Sequence, residues 1–495
     1  MKNWMQELAT HYERTRARYP QDKLLILFDI DGTILDMRHM IRFVLQAFDR
    51  AHGTRFFRYL RISDITVHEN HVEHLCDQLR IPLEDQDHIM DWYLKQRWSP
   101  NAILQAHRPF HGVLEVIRWF QLQPNTFVGL QTGRPNFLRM ETLRSLNELG
   151  KEYRVQFSND LLSMNPLGWE QKVEQSKVAG VEHFRREGYY IFAIVDNEPI
   201  HLKAISRVDP RRKILLLHAN TLFESKHTKL PYPAVRGRAY DLTGLISEKA
   251  LPRRIQFVWH GVNQEGNLRQ FLASNVHWAE LDVRIDPGTG EVALRHDGFE
   301  RTSLDDNDEL LQFEECLGRI REHGRGVKFD LKENGILLDK VLETIPRFAF
   351  EDSGLWFNGN VERLRKDGFQ KLREAHPSAI IQCPVDFMAP LILGVPEKAK
   401  EILDMFTQWG IDRYSLSWKT PDARQIFEQM DTWGLDVNIY HVPELESFLQ
   451  ATLLMPRSIT SDFNFPQWHY YGHGSGENLC RYEYSIRRRV SMRLT

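Results

Sequence analysis

The pattern of apolar and polar positions divides the chain into two unlike halves. In the first half, an amphipathic N-terminal helix precedes the apolar run KLLILF (23–28), which is short enough to be a buried parallel strand. A polar, helical block follows over 37–109. Helices are then predicted at 110–121 and 177–187, and strands at 126–131, 189–195 and 213–217. This order predicts an α/β fold, a doubly wound Rossmann-like parallel sheet with an inserted helical cap.

The second half predicts a closed barrel. Helical stretches such as 397–409 and 421–433 separate most of its strand candidates. The strand candidates are 255–259, 278–285, 326–331, 354–358, 378–383, 413–418, 436–441 and 458–461. Eight such units match a (β/α)8 TIM barrel, which typically takes ~250 residues. We therefore expect two domains, 1–250 and 251–495, with 37–109 as the cap of the first.

Composition excludes several functional classes. The chain has 495 residues, 26% of them charged, and a formal net charge of −3, which shows no bias toward nucleic acid or a membrane surface. We expect no signal peptide and no membrane span, because no run approaches the ~18–20 apolar residues that a spanning helix needs. Cys76, Cys316, Cys383 and Cys480 are scattered without a CxxC pair, which favours reduced thiols and a cytoplasmic location. The pattern gives no indication of the oligomeric state.

The clearest chemical motif follows the first predicted strand. The run FDIDGT (28–33) places two carboxylates two residues apart, so Asp29 and Asp31 point the same way if strand geometry persists. Asp29 could then attack phosphorus to give an aspartyl-phosphate, while Asp31 protonates the leaving group as general acid and later acts as base. A turn rich in Asp and Gly is the alternative interpretation of this run.

Three later segments carry groups that suit the same chemistry. Thr132, in LQTGR (130–134), offers a hydroxyl beside backbone N–H groups that can hold phosphate oxygens. Lys177 opens a predicted helix and could neutralise phosphate charge. Asp196, in VDNEP (195–199), follows a predicted buried strand and could hold Mg²⁺, which favours oxygen ligands. Each residue alone also fits an ordinary role as a turn, surface or capping residue.

Taken in order, these segments resemble the four motifs of the haloacid dehalogenase (HAD) superfamily, over about residues 23–220. The resemblance implies Mg²⁺-dependent hydrolysis of a small phosphomonoester through an aspartyl-phosphate, with substrate selection by the cap. It assigns catalytic roles to Asp29, Asp31, Thr132 and Lys177 and metal ligation to Asp29, Asp31 and Asp196. Lys172 is an alternative to Lys177 as the third-motif lysine, and the fourth motif reads DNE where paired aspartates are commoner.

The second half spreads its candidate residues over several predicted strand ends, where catalytic residues of such barrels lie. An all-oxygen site for Mg²⁺ or Ca²⁺ could be formed by Glu280, Asp282 and Asp330. His260 and His296 could serve as general base and general acid on a phosphodiester. Lys332 could stabilise the developing negative charge. For each residue alone, a structural role is also open.

In combination, these residues resemble the glycerophosphodiester phosphodiesterase group of barrels over about 251–470. The resemblance rests on WHG (259–261), ExD (280–282), HD (296–297), DxK (330–332) and TSDF (460–463). The chain lacks the usual Arg between His and Gly, and its third acidic ligand is Asp rather than Glu. WHGVN and GLWFNGNV also resemble the menorin-like relatives of these barrels.

The sequence thus favours a phosphatase fused to a phosphodiesterase-like barrel, with no nucleic-acid partner. The barrel would cleave a diester, and the phosphatase would hydrolyse the resulting monoester, for which glycerol 3-phosphate is one example. In the alternative, the barrel is a non-catalytic binding or scaffolding module. A phosphatase acting on nucleic-acid ends is less favoured, because no base-stacking platform is evident.

Overall fold

Apolar runs form the strands of two separate sheets that are almost entirely parallel. The computed structural model describes residues 3–168, 172–222, 228–247, 250–274, 276–300 and 311–461. The chain divides into an N-terminal unit, Met1–Ile246, and a C-terminal unit, Ser247–Thr495. Asp462 and Phe463 of the predicted closing motif, and Cys480, lie outside the described residues.

The N-terminal unit contains a parallel sheet with the order β3-β2-β1-β4-β5-β6. Its strands are β1 (Lys23–Phe28), β2 (Thr126–Pro135), β3 (Leu162–Asn165), β4 (Tyr189–Asp196), β5 (Leu215–Ala219) and β6 (Ala234–Gly237). The strand order reverses between β1 and β4, and ligands of such sheets bind outside the carboxyl ends of the strands at this point. The predicted doubly wound fold is confirmed. The sequence missed β3 and β6, which are only four residues long.

Ten α-helices of the N-terminal unit fall within the described residues. They are α1 (Trp4–Arg18), α2 (Arg38–His52), α3 (Glu73–Gln78), α4 (Leu83–Gln96), α5 (Pro100–Ala106), α6 (Val113–Gln121), α7 (Arg139–Gly150), α8 (Val173–Arg186), α9 (Pro199–Arg207) and α10 (Leu242–Leu245). Short 3-10 helices cover Ile62–Asp64, Asn136–Leu138, Lys151–Tyr153 and Asn159–Leu161. Helices α2–α5 are inserted between β1 and β2, where the sequence predicted a helical cap.

Two predicted element bounds near the site are wrong. The sequence predicted that β2 ends at residue 131, but the strand extends to Pro135 and therefore includes Thr132. The pairing of β2 with β1 ends earlier, at Leu130 and Phe28. Helix α8 begins at Val173, so Lys177 does not open it. The residue before the helix, Lys172, adopts left-handed φ/ψ angles of 52° and 37°, and this backbone turn sets the start of the helix.

The C-terminal unit closes eight parallel strands into a barrel, as the sequence predicted. With one further strand, β9, the sheet has nine strands: β7 (Gln256–Trp259), β8 (Trp278–Ile285), β9 (Val292–Leu294), β10 (Gly326–Leu331), β11 (Leu355–Gly359), β12 (Ile380–Pro384), β13 (Arg413–Ser417), β14 (Val437–Val442) and β15 (Ser458–Ser461). Closure is made by β15 on β7, in the register Ser458↔Gln256 to Ser461↔Trp259. The extra strand β9 pairs antiparallel with β8 and was not predicted.

Helices alternate with the barrel strands in the described part of the C-terminal unit. They are α11 (Glu265–Leu272), α12 (Phe313–Glu322), α13 (Ile336–Thr344), α14 (Val361–Ala375), α15 (Ala389–Gly394), α16 (Pro396–Gln408), α17 (Ala423–Thr432) and α18 (Leu445–Leu453). Short 3-10 helices cover Ile345–Phe348, Asp352–Gly354 and Asp386–Met388. Among the helices of both units that the structure describes, none has the length and apolarity that crossing a membrane requires.

Candidate active sites

Two adjacent strands of the N-terminal unit end in buried carboxylates. Asp29 follows β1 and Asp196 ends β4, and the Asp29 N–H donates to the Val195 carbonyl oxygen at 2.8 Å. The turn after Asp29 requires glycine, because Gly32 has a φ of +75° and a Cβ there would lie 2.4 Å from Asn197 Nδ2. Sheet register and this turn together hold Asp29 beside Asp196.

Lys177 bridges these two carboxylates. Its Nζ donates to Asp29 Oδ1 and to Asp196 Oδ2, both at 2.6 Å, and to the Gln131 carbonyl oxygen at 2.9 Å. Just over one turn of α8 separates Lys177 from the start of the helix, and its side chain is only 1% exposed. Lys172, the alternative from the sequence, is exposed. The lysine that reaches the carboxylates is therefore Lys177.

The charges of this cluster are unequal. Burial raises the pKa of Asp29 to about 7, against the opposing effect of the Lys177 ammonium. Burial also acts to raise the pKa of Asp196, but Lys177 and His201 outweigh it and hold that pKa well below its usual range. Burial acts to lower the pKa of Lys177, yet the two carboxylates keep it above its ordinary value. One ammonium thus bonds a carboxylate that stays ionised, Asp196, and a carboxyl group whose pKa lies near neutrality, Asp29.

Asp31 is held by a residue whose role the sequence did not reveal. Arg134 Nε donates to Asp31 Oδ2 at 2.8 Å, and Nη2 donates to Oδ1 at 2.6 Å. The Arg134 side chain is fully buried, and its guanidinium also donates to Thr142 Oγ1 at 3.1 Å. The ring of Trp98, from the cap, lies 5.1 Å from the guanidinium carbon. Arg134 therefore links the Asp31 carboxylate to the cap.

A cavity of about 390 Å³ lies at these strand ends. Residues of the sheet and of the cap line it together: Asp29, Asp31, Thr132, Arg134, His68, Glu69, His71, Trp98, Glu198 and His201. Thr132 is buried, and its Oγ1 accepts a hydrogen bond from the Arg134 N–H at 3.1 Å. Burial raises the pKa of Glu69, which comes from the cap. Asp29, Asp31 and Thr132 thus meet at one cavity that the cap helps to enclose.

The N-terminal donors suit Mg²⁺ in kind. Asp29 and Asp196 supply carboxylate oxygens on either side of one ammonium, and Mg²⁺ prefers oxygen ligands. Within the described residues, the carboxylate oxygens of Asp29, Asp31 and Asp196 do not form a group in which all lie within 4.8 Å of one another. Arg134 draws the Asp31 carboxylate into a separate ion pair. Asp29 and Asp196 are thus the two predicted magnesium ligands whose side chains one residue, Lys177, bridges, and the prediction that Asp31 is the third stays a prediction.

In the C-terminal unit, the predicted acidic ligands come together inside the barrel. Asp282 of β8 pairs in register with Asp330 of β10, and Glu280 lies two residues earlier on the same face of β8. One carboxylate oxygen from each of the three residues lies within 4.8 Å of the others. This all-oxygen group has the composition expected of a Mg²⁺ or Ca²⁺ site.

Neighbouring groups hold the acidic cluster in place. The Gly261 N–H donates to Glu280 Oε2 at 2.8 Å, and Asn263 Nδ2 donates to Asp282 Oδ2 at 2.7 Å. Lys332 Nζ lies 2.7 Å from Asp282 Oδ1 and also donates to Asp330 Oδ2. Lys332, which the sequence assigned to a substrate charge, is therefore placed between two of the candidate metal ligands.

Burial shifts the pKa values of the groups at the base of this cluster. It raises the pKa of Glu280 to about 7, and the neighbouring Asp282 charge acts in the same direction. It also acts on Asp282, but the Lys332 ammonium outweighs it and lowers that pKa. Lys328, opposite Glu280 in the strand register, has its pKa lowered to about 8 by burial. Its Nζ donates to Thr460 Oγ1 at 3.0 Å, so it belongs to the buried interior of the barrel.

The two candidate histidines lie at different depths. His260 Nε2 is 3.8 Å from Glu280 Oε2 and its side chain is 33% exposed, whereas the His296 side chain is 65% exposed and its Nδ1 lies 2.9 Å from Asp297 Oδ1. Both line a polar cavity of about 360 Å³ together with Glu280, Asp330 and Lys332. The structure brings the predicted barrel residues to one opening except for Asp282, which is buried and does not line the cavity. His260 lies against the acidic group and His296 toward solvent.

No protein-family model matches the chain, and no curated protein matches it significantly. Two groups of solved structures are similar to parts of it. A candidate glycerophosphoryl diester phosphodiesterase of Agrobacterium tumefaciens is 14% identical with a TM-score of 0.34, covering 42% of this chain and 94% of that one. For a glycerophosphodiester phosphodiesterase of Thermotoga maritima, the identity is 14%, the TM-score 0.33 and the coverage 43% and 96%.

The other group consists of phosphatases. A candidate phosphoglycolate phosphatase of Lactobacillus plantarum is 14% identical with a TM-score of 0.23, covering 40% of this chain and 86% of that one. The names of the two groups are those of phosphodiesterases and phosphatases. At this identity and TM-score the similarity supports no statement about activity, and the fold rests on the strand order and register described above.

Two features of the N-terminal site could not be assigned from the sequence. The ion pair of Arg134 with Asp31 joins residues 103 positions apart. The sequence around an arginine near a strand end does not indicate which distant carboxylate it pairs with. His68 and Glu69 line the cavity from the cap. A signal for the cap residues does exist, because the run HENHVEH (68–74) contains three histidines and two glutamates in seven positions.

Proposed function

We propose that the N-terminal unit is a phosphomonoester hydrolase that acts through an aspartyl-phosphate on Asp29. One observation carries the proposal: Lys177 ties Asp29 to Asp196 at the reversal of strand order, beside a cavity enclosed with the help of the cap. An ammonium in this position can neutralise the charge of a phosphoryl group as it is transferred. When Mg²⁺ is bound, Asp29 and Asp196 would hold it and it would supply further positive charge to the phosphoryl oxygens.

The proposed reaction has two proton transfers. An oxygen of Asp29 attacks phosphorus, the bond from phosphorus to the ester oxygen breaks, and Asp31 gives a proton to the departing alkoxide. Water then attacks the phosphorus of the aspartyl-phosphate and gives a proton to Asp31. The bond between phosphorus and the Asp29 oxygen breaks, so phosphate is released and the Asp29 carboxylate is restored. Both oxygens of Asp31 accept hydrogen bonds from Arg134, so at least one of these bonds must open for each transfer.

Arg134 therefore acts as a positioning residue for Asp31. We expect Arg134→Gln to lower kcat by about 10²-fold, because a displacement of order 1 Å in a catalytic group has such an effect. Arg134→Lys should recover only part of this loss, since an ammonium cannot form the bidentate pair. Arg144→Gln, at an exposed position of α7, is the matched control. Steady-state kcat and KM of all three variants test this, and full activity of Arg134→Gln would contradict it.

We further propose that the C-terminal barrel is a metal-dependent phosphodiesterase. Glu280, Asp282 and Asp330 would hold Mg²⁺ or Ca²⁺, which would supply positive charge to the phosphodiester when bound. His260 and His296 would transfer protons on either side of the diester, and Lys332 would stabilise negative charge. The support is that the three carboxylates lie close together and that two of them, Glu280 and Asp330, line one polar cavity with both histidines.

A histidine substitution tests the barrel proposal. We expect His260→Ala to lower diesterase activity on the order of 10²–10⁴-fold, the usual contribution of acid–base catalysis, and to leave monoesterase activity unchanged. Bis(p-nitrophenyl) phosphate and glycerophosphodiesters, each with Mg²⁺, Mn²⁺ or Ca²⁺, are suitable substrates. His277→Ala is the matched control, because His277 is exposed and does not line the cavity that His260 lines.

A second candidate function for the barrel is non-catalytic binding, and a specific observation favours it. Lys332 Nζ bonds Asp282 and Asp330, and its positive charge offsets part of the negative charge that would attract an ion. A barrel of this kind would bind a phosphorylated ligand without turning it over. The absence of diester turnover with any of these metals, alongside robust monoesterase activity, would favour this candidate over the phosphodiesterase.

The two activities would act in sequence on small phosphoesters. In this proposal, residues 251–495 convert a diester into a monoester and residues 1–250 hydrolyse that monoester, without a nucleic-acid partner. Cys76, Cys316 and Cys383 are buried free thiols, which supports a reducing, cytoplasmic setting. A time course with a glycerophosphodiester should release phosphate from the wild type, whereas Asp29→Asn should accumulate the monoester.

A further inference from the structure

The cap carries a histidine-rich segment, HENHVEH (68–74), that phosphoryl transfer does not explain. The His71 N–H donates to the His68 carbonyl oxygen at 2.9 Å, and the His74 N–H donates to the His71 carbonyl oxygen at 3.2 Å. Backbone hydrogen bonds between residues three apart place the side chains of those two residues one above the other. The ring centroids are accordingly 6.1 Å apart for His68 and His71 and 5.9 Å apart for His71 and His74.

Apolar neighbours fix this segment to the cap. Val72 and Leu75 are buried at 0% and 1% exposure, whereas Glu73 and His74 reach the surface. The His71 and His74 rings stack with an angle of 25° between their planes. The segment therefore presents two imidazoles and a carboxylate to solvent on an anchored backbone, which reduces the entropy lost when a ligand fixes them.

The three polar groups are placed to share one ion. A donor atom from each of His71, Glu73 and His74 lies within 4.8 Å of the other two, and His71 Nδ1 is 3.4 Å from Glu73 Oε1. Two imidazole nitrogens and one carboxylate oxygen form a donor set typical of zinc, with a fourth position left for water or another ligand. We propose that His71, Glu73 and His74 bind one divalent transition-metal ion of the Zn²⁺ class on the cap.

The surrounding charges determine which ions the site selects. Asp77 lies 4.0 Å from His74 and favours a cation. Lys229, Arg236 and Arg238 line a cavity together with His71 and His74, and they oppose a cation. Affinity must therefore come mainly from the imidazole nitrogens rather than from net negative charge, so the site selects Zn²⁺ and Co²⁺ over Mg²⁺ and Ca²⁺. His71 also lines the cavity that contains Asp29 and Asp31, so a bound ion would hold one of the side chains that line this cavity in place.

Cobalt absorption provides a test that does not depend on activity. Untagged full-length protein is stripped with a chelator, supplied with excess Mg²⁺ to fill oxygen-ligand sites, and titrated with Co²⁺. We expect one Co²⁺ per chain with the strong visible absorption of a four-coordinate site, displaced by Zn²⁺ but not by Ca²⁺. The double variant His71→Gln/His74→Gln should lose this absorption, and Glu73→Gln should weaken the binding.

Two controls separate this site from other metal ligands. His52→Gln changes another exposed cap histidine, and Asp282→Asn removes one ligand of the barrel cluster, so both should keep the absorption. The proposal is overturned if the wild type shows no four-coordinate absorption or if the folded double variant retains it. If circular dichroism shows that the double variant does not fold, the Co²⁺ affinity of Glu73→Gln is the test instead. An unchanged affinity in that variant overturns the proposal.

Discussion

Replacing Asp29 with asparagine is expected to abolish phosphomonoesterase activity and to leave the fold intact. The amide is nearly isosteric with the carboxylate but is a far poorer nucleophile, so no aspartyl-phosphate can form at this position. The expected loss is on the order of 10⁴–10⁶-fold in kcat, the scale seen when a nucleophile is removed. Steady-state assays with p-nitrophenyl phosphate and Mg²⁺ measure the loss, and circular dichroism monitors the fold.

Asp22 supplies the matched control for this substitution. It is an exposed aspartate directly before β1, so Asp22→Asn should retain wild-type activity. If Asp29→Asn kept most of its activity in a clean preparation, Asp29 could not be the nucleophile.

Replacing Lys177 with methionine is expected to reduce both stability and activity. The change leaves Asp29 and Asp196 buried beside each other without the ammonium that bonds both. Removing one partner of a buried ion pair typically costs about 3–5 kcal/mol in the free energy of unfolding. Loss of a preorganised positive charge should lower kcat/KM on the order of 10²–10³-fold. Calorimetry of the full chain and kinetics at saturating Mg²⁺ measure the two effects.

Lys172 allows a direct comparison, because it lies five residues earlier and is exposed. Lys172→Met removes the same charge from the chain without exposing the carboxylates to each other, so its stability and kinetics should stay close to wild type. If Lys172→Met and Lys177→Met lost equal amounts of stability and of kcat/KM, the bonds of Lys177 to Asp29 and Asp196 could not be the cause of the losses.

Much of the N-terminal site could be predicted because sheet geometry fixes it. Asp29 and Asp196 each end an apolar run, and the carboxyl ends of neighbouring parallel strands lie at one edge of the sheet. Lys177 could not be separated from Lys172 by pattern alone, since either lysine could begin the helix. The left-handed backbone at Lys172 settles the start of α8 and places Lys177 on its inner face.

Contacts between side chains distant in sequence were beyond prediction. The bidentate pair of Arg134 with Asp31 depends on where β2 ends relative to β1, and no local motif encodes that distance. The ion pairs of Lys332 with Asp282 and Asp330 were likewise not predicted, although Lys332 does line the barrel cavity. In the barrel, period-two spacing correctly placed Glu280 and Asp282 on one face, because that inference needs only strand geometry.

Trapping the covalent intermediate tests the central claim most directly. The protein is mixed with excess p-nitrophenyl phosphate and Mg²⁺, quenched with borohydride, digested and analysed by mass spectrometry. Borohydride reduces an acyl phosphate to the alcohol, so an aspartyl-phosphate on Asp29 predicts homoserine at position 29 in the wild type, dependent on substrate and absent from Asp29→Asn. Homoserine at another aspartate, or none at any position while phosphate is released, would contradict an aspartyl-phosphate on Asp29.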